Sequence, residues 1–133
     1  MVVVLLVAFI GCSTDDDVPS FFFERIPVES VTNIPETFQV GELDTLQISY
    51  IRPTSCHGFE GFEVEKEDNS RNISLIARVI ENRAPCTDLQ EDVRTAPLVF
   101  RPEEGGSVIL RFYQGDDIDG NATFLTIEVP ILD

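Results

Sequence analysis

Thr45-Leu46-Gln47-Ile48-Ser49-Tyr50-Ile51 sets Leu46, Ile48 and Tyr50 at alternate positions, with Thr45, Gln47 and Ser49 between them. Successive side chains of a strand point to opposite faces. A period of two therefore marks a strand with one buried and one solvated face. Pro53 closes it, because proline has no N–H to give to a ladder. The same alternation recurs on both sides. Downstream, residues 59–65 set Phe62 and Val64 against Glu63 and Glu65, and Asp68-Asn69-Ser70 supplies a turn. Residues 72–80 then place Ile73, Leu75, Ala77 and Val79 on one face, and two such runs around a short polar turn predict a hairpin. Residues 95–101 and 107–113 are further strands, the latter with Val108, Leu110 and Phe112 on one side. Between them, Pro102 and the turn Glu103-Glu104-Gly105-Gly106 break the chain. Residues 115–121 turn into a closing strand at 122–129.

Upstream, Phe21-Phe22-Phe23-Glu24-Arg25 lies between Pro19 and Pro27, and residues 28–31 continue extended until Asn33 and Pro35. The one irregular stretch is 81–94, which holds Cys86. Thr87 there is a suitable cap, with Asp88 and Glu91 in a first turn, so 87–92 has the pattern of a single helical turn. Seven or eight short strands at near-regular spacing predict an all-β fold. The expected architecture is one antiparallel β-sandwich of immunoglobulin-like type, with a small β-barrel as the alternative. The chain has no tryptophan, so the buried Trp of antibody domains is missing. A strand buried on one face needs apolar residues only at alternate positions. The run Phe21 to Phe23 therefore offers one ring too many, and Phe22 is expected under the second sheet, the other choice being a partner or a lipid surface.

Acidic residues outnumber basic ones by 24 to 9, a formal net charge of −15. Such a surface repels phosphate backbones, which excludes a nucleic-acid partner. It repels an anionic bilayer surface as well, so attachment to a membrane needs something other than a basic patch. Hydrophobic residues make up 43% of the chain, too many for a disordered protein.

Residues 2–10 are an unbroken apolar run. It is too short to span a bilayer as a helix and has the length of the apolar core of a secretory signal. Phe9-Ile10-Gly11-Cys12 follows at once. This resembles the lipobox of bacterial lipoproteins, with Gly11 as the small residue before the cut and Phe9 where the box usually has Leu. The resemblance implies a signal peptide at 1–11, lipid on Cys12, and an acidic flexible tether at 12–20 ahead of a domain at 21–133. The bland reading is a free N-terminal strand with a buried Cys12. Asp15-Asp16-Asp17, directly after Cys12-Ser13-Thr14, resembles the export signal that carries lipoproteins of the Bacteroidota to the outer face of the outer membrane. A solvated tether would also use such residues.

Cys56 and Cys86 then remain, an even number in an exported chain, so a disulfide between them is expected. It would staple loops rather than join sheets. Two alternatives stay open: a zinc site of Cys56, His57 and Cys86, and two free thiols. His57 is the single histidine. A triad with Ser55 or another serine lacks the surrounding motif of a nucleophile, and Glu63 with Glu65 lie on one strand face rather than across a cleft. The more ordinary role for His57 is a hydrogen bond within its loop. Asp117, Asp119 and Asn121, with Gly120 between, have the alternation of a calcium loop and equally the composition of a hairpin turn. No other cofactor is suggested.

With these pieces in view, namely residues 21–31, Arg52-Pro53-Thr54-Ser55-Cys56-His57, Asn69-Ser70-Arg71, Cys86-Thr87 and Phe112-Tyr113-Gln114-Gly115, the chain resembles a group of small uncharacterised lipoproteins of flavobacteria and their relatives. The resemblance implies an exported all-β domain and carries no catalytic residue. Two functions compete. One is a non-catalytic binding or structural module for an unknown protein or glycan partner, with an exposed aromatic patch. Its candidate surfaces are residues 21–23, 52–57 and 81–94. The other is an accessory subunit or small hydrolase at the cell surface, with a concave acidic pocket.

Overall fold

A computed structural model describes residues 20–81 and 85–133. The expected leader, Cys12 and the run Asp15 to Asp17 lie outside the described residues. Among the described residues the chain forms nine strands: β1 (Phe21–Ile26), β2 (Val28–Thr32), β3 (Phe38–Gln39), β4 (Asp44–Ile51), β5 (His57–Glu67), β6 (Ser70–Ile80), β7 (Val93–Phe100), β8 (Gly106–Asp116) and β9 (Ala122–Leu132). None of the described residues forms a helix long and apolar enough to cross a membrane.

The strands build two sheets that face each other, so the expected sandwich forms and the barrel does not. The larger sheet is organised on β6. The hairpin partner β5 covers one edge of β6 along its whole length. The other edge is shared: β1 pairs antiparallel with its second half, from Leu75 to Ile80, and β8 pairs parallel with its first half, from Ser70 to Ile73. The sheet then continues through β9 to the short β3, which runs parallel to β9. Two short parallel pairings thus join an otherwise antiparallel sandwich. The second sheet is antiparallel, in the order β2-β4-β7. Pro27 separates β1 from β2 and breaks the ladder where the chain passes from one sheet to the other.

The alternation read from the sequence is what fills the core. Leu46, Ile48 and Tyr50 of β4 and Ala96 of β7 meet Ile73, Leu75 and Ala77 of β6 and Val108, Leu110 and Phe112 of β8. Phe38, in the two-residue strand β3 that the pattern did not indicate, is fully buried and packs against Phe100 with ring centroids 4.8 Å apart. Gly115 has φ of 100°, open to a residue without a Cβ. A Cβ there would come within 3.3 Å of the Pro27 ring, so the bulge near the end of β8 depends on this glycine.

Three local expectations are corrected. Residues 87–92 form no helical turn: Ser55 N donates to Thr87 O, Leu89 N to Pro53 O and Arg52 N to Asp92 O, each at 2.9 Å, and Asp88 bridges to Thr54. Long-range pairing with the 52–55 segment takes the backbone groups that a helical turn would have used. Phe22 is not in the core but 44% exposed. It shares the inward side of the large sheet with Val79, yet the three-stranded second sheet does not reach over it. Val64, opposite the buried Ile73, is likewise exposed because β5 is an outer strand of the wider sheet.

Candidate functional site

Of the residues singled out from the sequence, Ser55, Cys56, His57 and Cys86 come together at one end of the sandwich, where β4 leaves for β5 and the 85–92 segment returns to β7. Pro53 stops β4, and Arg52 holds the turn that follows by donating from its guanidinium to Ser55 O and His57 O, both at 2.7 Å. Cys56 in this turn is bonded to Cys86, with Cα atoms 5.5 Å apart. The expected disulfide is therefore present and joins the turn to the connection between β6 and β7. Because both sulfurs are engaged, the zinc reading and the free-thiol reading fall. Ser55 Oγ accepts from Thr87 N at 2.9 Å, a second tie between the same two segments.

His57 is the buried polar residue among the described side chains. Burial of an imidazole requires partners for both nitrogens, and both are supplied. Thr54 Oγ1 accepts the Cys56 N–H at 3.1 Å and lies in hydrogen-bond contact with His57 Nδ1 at 2.7 Å. His57 Nε2 faces Glu24 Oε2 of β1 at 3.0 Å, and because a carboxylate only accepts, Nε2 is the donor. On the inward side of the large sheet, His57 stands opposite Val79 and Glu24 opposite Ala77. The hydrogen bond therefore passes over β6 and ties β1 to β5. Sequence reasoning placed His57 in a loop hydrogen bond but not with Glu24. The two are 33 positions apart, and only the pairing of β1 and β5 with a common strand brings them together.

Thr54, His57 and Glu24 form a hydroxyl–imidazole–carboxylate row. In a nucleophile the hydroxyl oxygen faces a cleft. Here that oxygen already accepts a backbone N–H, and the nearby open hollow, about 360 Å³, is walled by Tyr50, Arg52, His57, Gly58, Phe59, Arg94 and Thr95 and not by Thr54. Ser55, the serine weighed from the sequence, is bonded to Thr87 and not to His57. Burial pushes the Tyr50 phenol above its ordinary value, with Arg94 and Arg52 opposing. Asp92 bonds Arg94 at 3.1 Å and lies 3.9 Å from Arg52, so the two guanidiniums share a carboxylate.

The row behaves as a clamp. His57→Ala is expected to lower stability by about 1–3 kcal/mol in urea unfolding, since it removes a buried side chain together with its hydrogen bonds to Thr54 and Glu24. Glu24→Gln, whose amide oxygen still accepts from Nε2, is expected to keep most of the wild-type stability. If His57→Ala leaves the unfolding midpoint unchanged, the clamp is dispensable.

Glu63 and Glu65 lie on the outward side of the large sheet, where Glu63 pairs with Arg25 at 3.1 Å. Asp117, Asp119 and Asn121 form the tight turn between β8 and β9. Asp117 Oδ1 accepts from Asp119 N and Asn121 N, both at 2.9 Å, and Gly120 N donates to Asp117 O at 3.0 Å. This carboxylate stabilises its own turn. Among the described residues, no three His, Cys, Asp or Glu side chains converge as a metal-ligand group. Asp117→Ala is accordingly expected to lower stability by about 1 kcal/mol, the worth of a turn-closing hydrogen bond. Calcium or a chelator is expected to leave the thermal midpoint of the wild type unmoved. A calcium-dependent rise that Asp117→Ala abolishes would instead establish an ion site.

An exposed aromatic group stands at the start of β1. Phe21, Phe22 and Phe23 are 48%, 44% and 55% exposed. Phe21 and Phe23, on the outward side, meet edge to face at 5.5 Å, and the Arg78 guanidinium lies 4.7 Å over the Phe21 ring. Single exposed apolar residues are ordinary, whereas three adjacent exposed phenyl rings at one strand end are not. Comparison with known proteins yields no matching family model, no matching curated protein and no matching solved structure.

Proposed function

We infer that this chain is a non-catalytic module of the bacterial cell envelope with a binding or structural role, akin to the small lipoproteins of flavobacteria. Lipid on Cys12 anchors it in the outer membrane. Asp15, Asp16 and Asp17 direct it to the cell surface, where it meets a protein or glycan partner. The observation that carries the binding role is the exposed Phe21–Phe22–Phe23 group. A folded domain with a well-filled core has no internal reason to leave three phenyl rings in water. The lipid anchor rests on Gly11-Cys12 following the apolar run 2–10. A net charge of −15 suits solubility at a crowded surface and disfavours nucleic acid.

The alternative, an accessory subunit or small hydrolase, would have to use the Thr54–His57–Glu24 row. Its hydroxyl oxygen is committed to the Cys56 N–H, which favours the clamp. For the anchor, the expected result is that wild-type chain sediments with membranes and carries acyl mass on its N-terminal cysteine, while Cys12→Ala accumulates soluble or unprocessed. A Cys12→Ala chain that is processed and sediments like the wild type would rule the lipid anchor out.

A further inference from the structure

Why the three rings are exposed follows from the topology. β1 leaves the large sheet at Pro27 to become β2. Its inward side at Phe22 lies beyond the cover of the second sheet, and among the described residues its outward side at Phe21 and Phe23 has no layer over it. Both sides of the same strand end are therefore apolar and open. The cations around the group are already paired, Arg78 with Glu60 at 3.1 Å and Arg25 with Glu63 at 3.1 Å, while Glu81, bonded to Ser20, adds a carboxylate beside Phe21. The patch thus offers apolar area and ring faces rather than positive charge.

Its position says what covers it. Cys12 lies nine residues before Phe21, and a chain of that length spans at most about 30 Å even when fully extended. If Cys12 carries lipid, the start of β1 is the part of the domain held next to the bilayer. Tethering raises the effective concentration of a weak contact into the millimolar range. Phenylalanines on the apolar side of a surface-bound element bury into the boundary between headgroups and acyl chains, and an arginine stem lies along apolar surface while its head stays in water.

We propose that Phe21, Phe22 and Phe23 seat in the headgroup–acyl boundary of the bilayer that holds the lipid anchor, so that the domain docks by the tip of β1 in one orientation. This rests on the lipid-anchor reading above. Because the described cations beside the patch are paired with carboxylates and the rest of the surface is acidic, the contact is apolar. It needs no anionic lipid and persists in high salt, unlike a basic-patch contact.

The chain has no tryptophan, so Phe22→Trp introduces a single fluorophore at an exposed position. Val99→Trp, on the outward side of the second sheet and 57% exposed, is the control. Lipidated full-length chain is reconstituted into phosphatidylcholine–phosphatidylethanolamine vesicles with brominated acyl chains. The expected result is blue-shifted, bromine-quenched emission from residue 22 at low and high salt, with residue 99 unquenched. Chain that floats with the vesicles while residue 22 stays unquenched overturns the docking and leaves the anchor standing. In that case a protein partner is the occupant of the patch. Chain that does not float overturns the anchor. The Phe22→Trp chain carrying Cys12→Ser then decides the docking alone: quenching at millimolar lipid upholds it, and no quenching overturns it. In the Cys12→Ser background, changing all three phenylalanines to serine is expected to weaken vesicle partition by at least about tenfold.

Discussion

Phe112→Ala is expected to destabilise the domain by about 3–5 kcal/mol, the range for removing a fully buried phenyl ring. At this chain length that lowers the thermal midpoint by roughly 15 °C. The size of the effect follows from the place of Phe112 in the large sheet. It is 0% exposed and sits opposite both Ile73 of β6, in the short parallel pairing, and Leu125 of β9, in the antiparallel one. Its ring thus fills the point where the hairpin β8–β9 joins the β5–β6 hairpin. A cavity there removes contacts from both units, and the rigid ladders around it cannot collapse to refill it. Val99→Ala, on the exposed side of β7, is the matched control and should change stability by no more than about 0.5 kcal/mol. Equal effects for the two substitutions in urea unfolding would mean that the core lies elsewhere.

Removing the disulfide has the second large effect. Cys56 and Cys86 are 30 residues apart, and closing a loop of that length restricts the unfolded chain by about 3–4 kcal/mol on the chain-entropy view. The double variant Cys56→Ala, Cys86→Ala, or reduction of the wild type, is expected to lose about that much. A local consequence goes with it. The 85–92 segment is held beside residues 52–55 by the disulfide and by three backbone hydrogen bonds from Ser55, Leu89 and Arg52. Without the covalent tie, this segment should become the first point of proteolytic cleavage, because locally weak units open first. A melting temperature and cleavage pattern indifferent to reductant would contradict the assignment.

The parts of the fold legible in the sequence are those governed by nearest neighbours. Leu46-x-Ile48-x-Tyr50, Ile73-x-Leu75-x-Ala77 and Val108-x-Leu110-x-Phe112 carry their strand period within a few residues, and all nine apolar positions are buried. The disulfide was legible because only two cysteines remain once Cys12 is assigned to lipid. The parts that were not legible depend on distant residues. Thr87 to Asp92 has a helical start pattern, yet its backbone pairs with residues more than thirty positions away. β3 is two residues long, too short to show a period, and is fixed by docking on β9. Phe22 follows the inward side of β1, but its burial depends on how far the opposite sheet extends, which no local pattern encodes. The Glu24 partner of His57 is invisible for the same reason: strand order, not spacing, brings them within 3.0 Å.

Anchorage and outward display of the domain are the centre of the functional proposal, and protease shaving of intact cells tests them most directly. Three chains are compared: wild type, Cys12→Ala, and Asp15, Asp16 and Asp17 together changed to Ala. A surface lipoprotein requires wild type to be membrane-bound and digested, the Asp variant membrane-bound and protected, and Cys12→Ala lost from the membrane. Wild type that is membrane-bound but protected, with the Asp variant behaving identically, would contradict surface display. It would make the acidic run a tether only and place the domain on the periplasmic side.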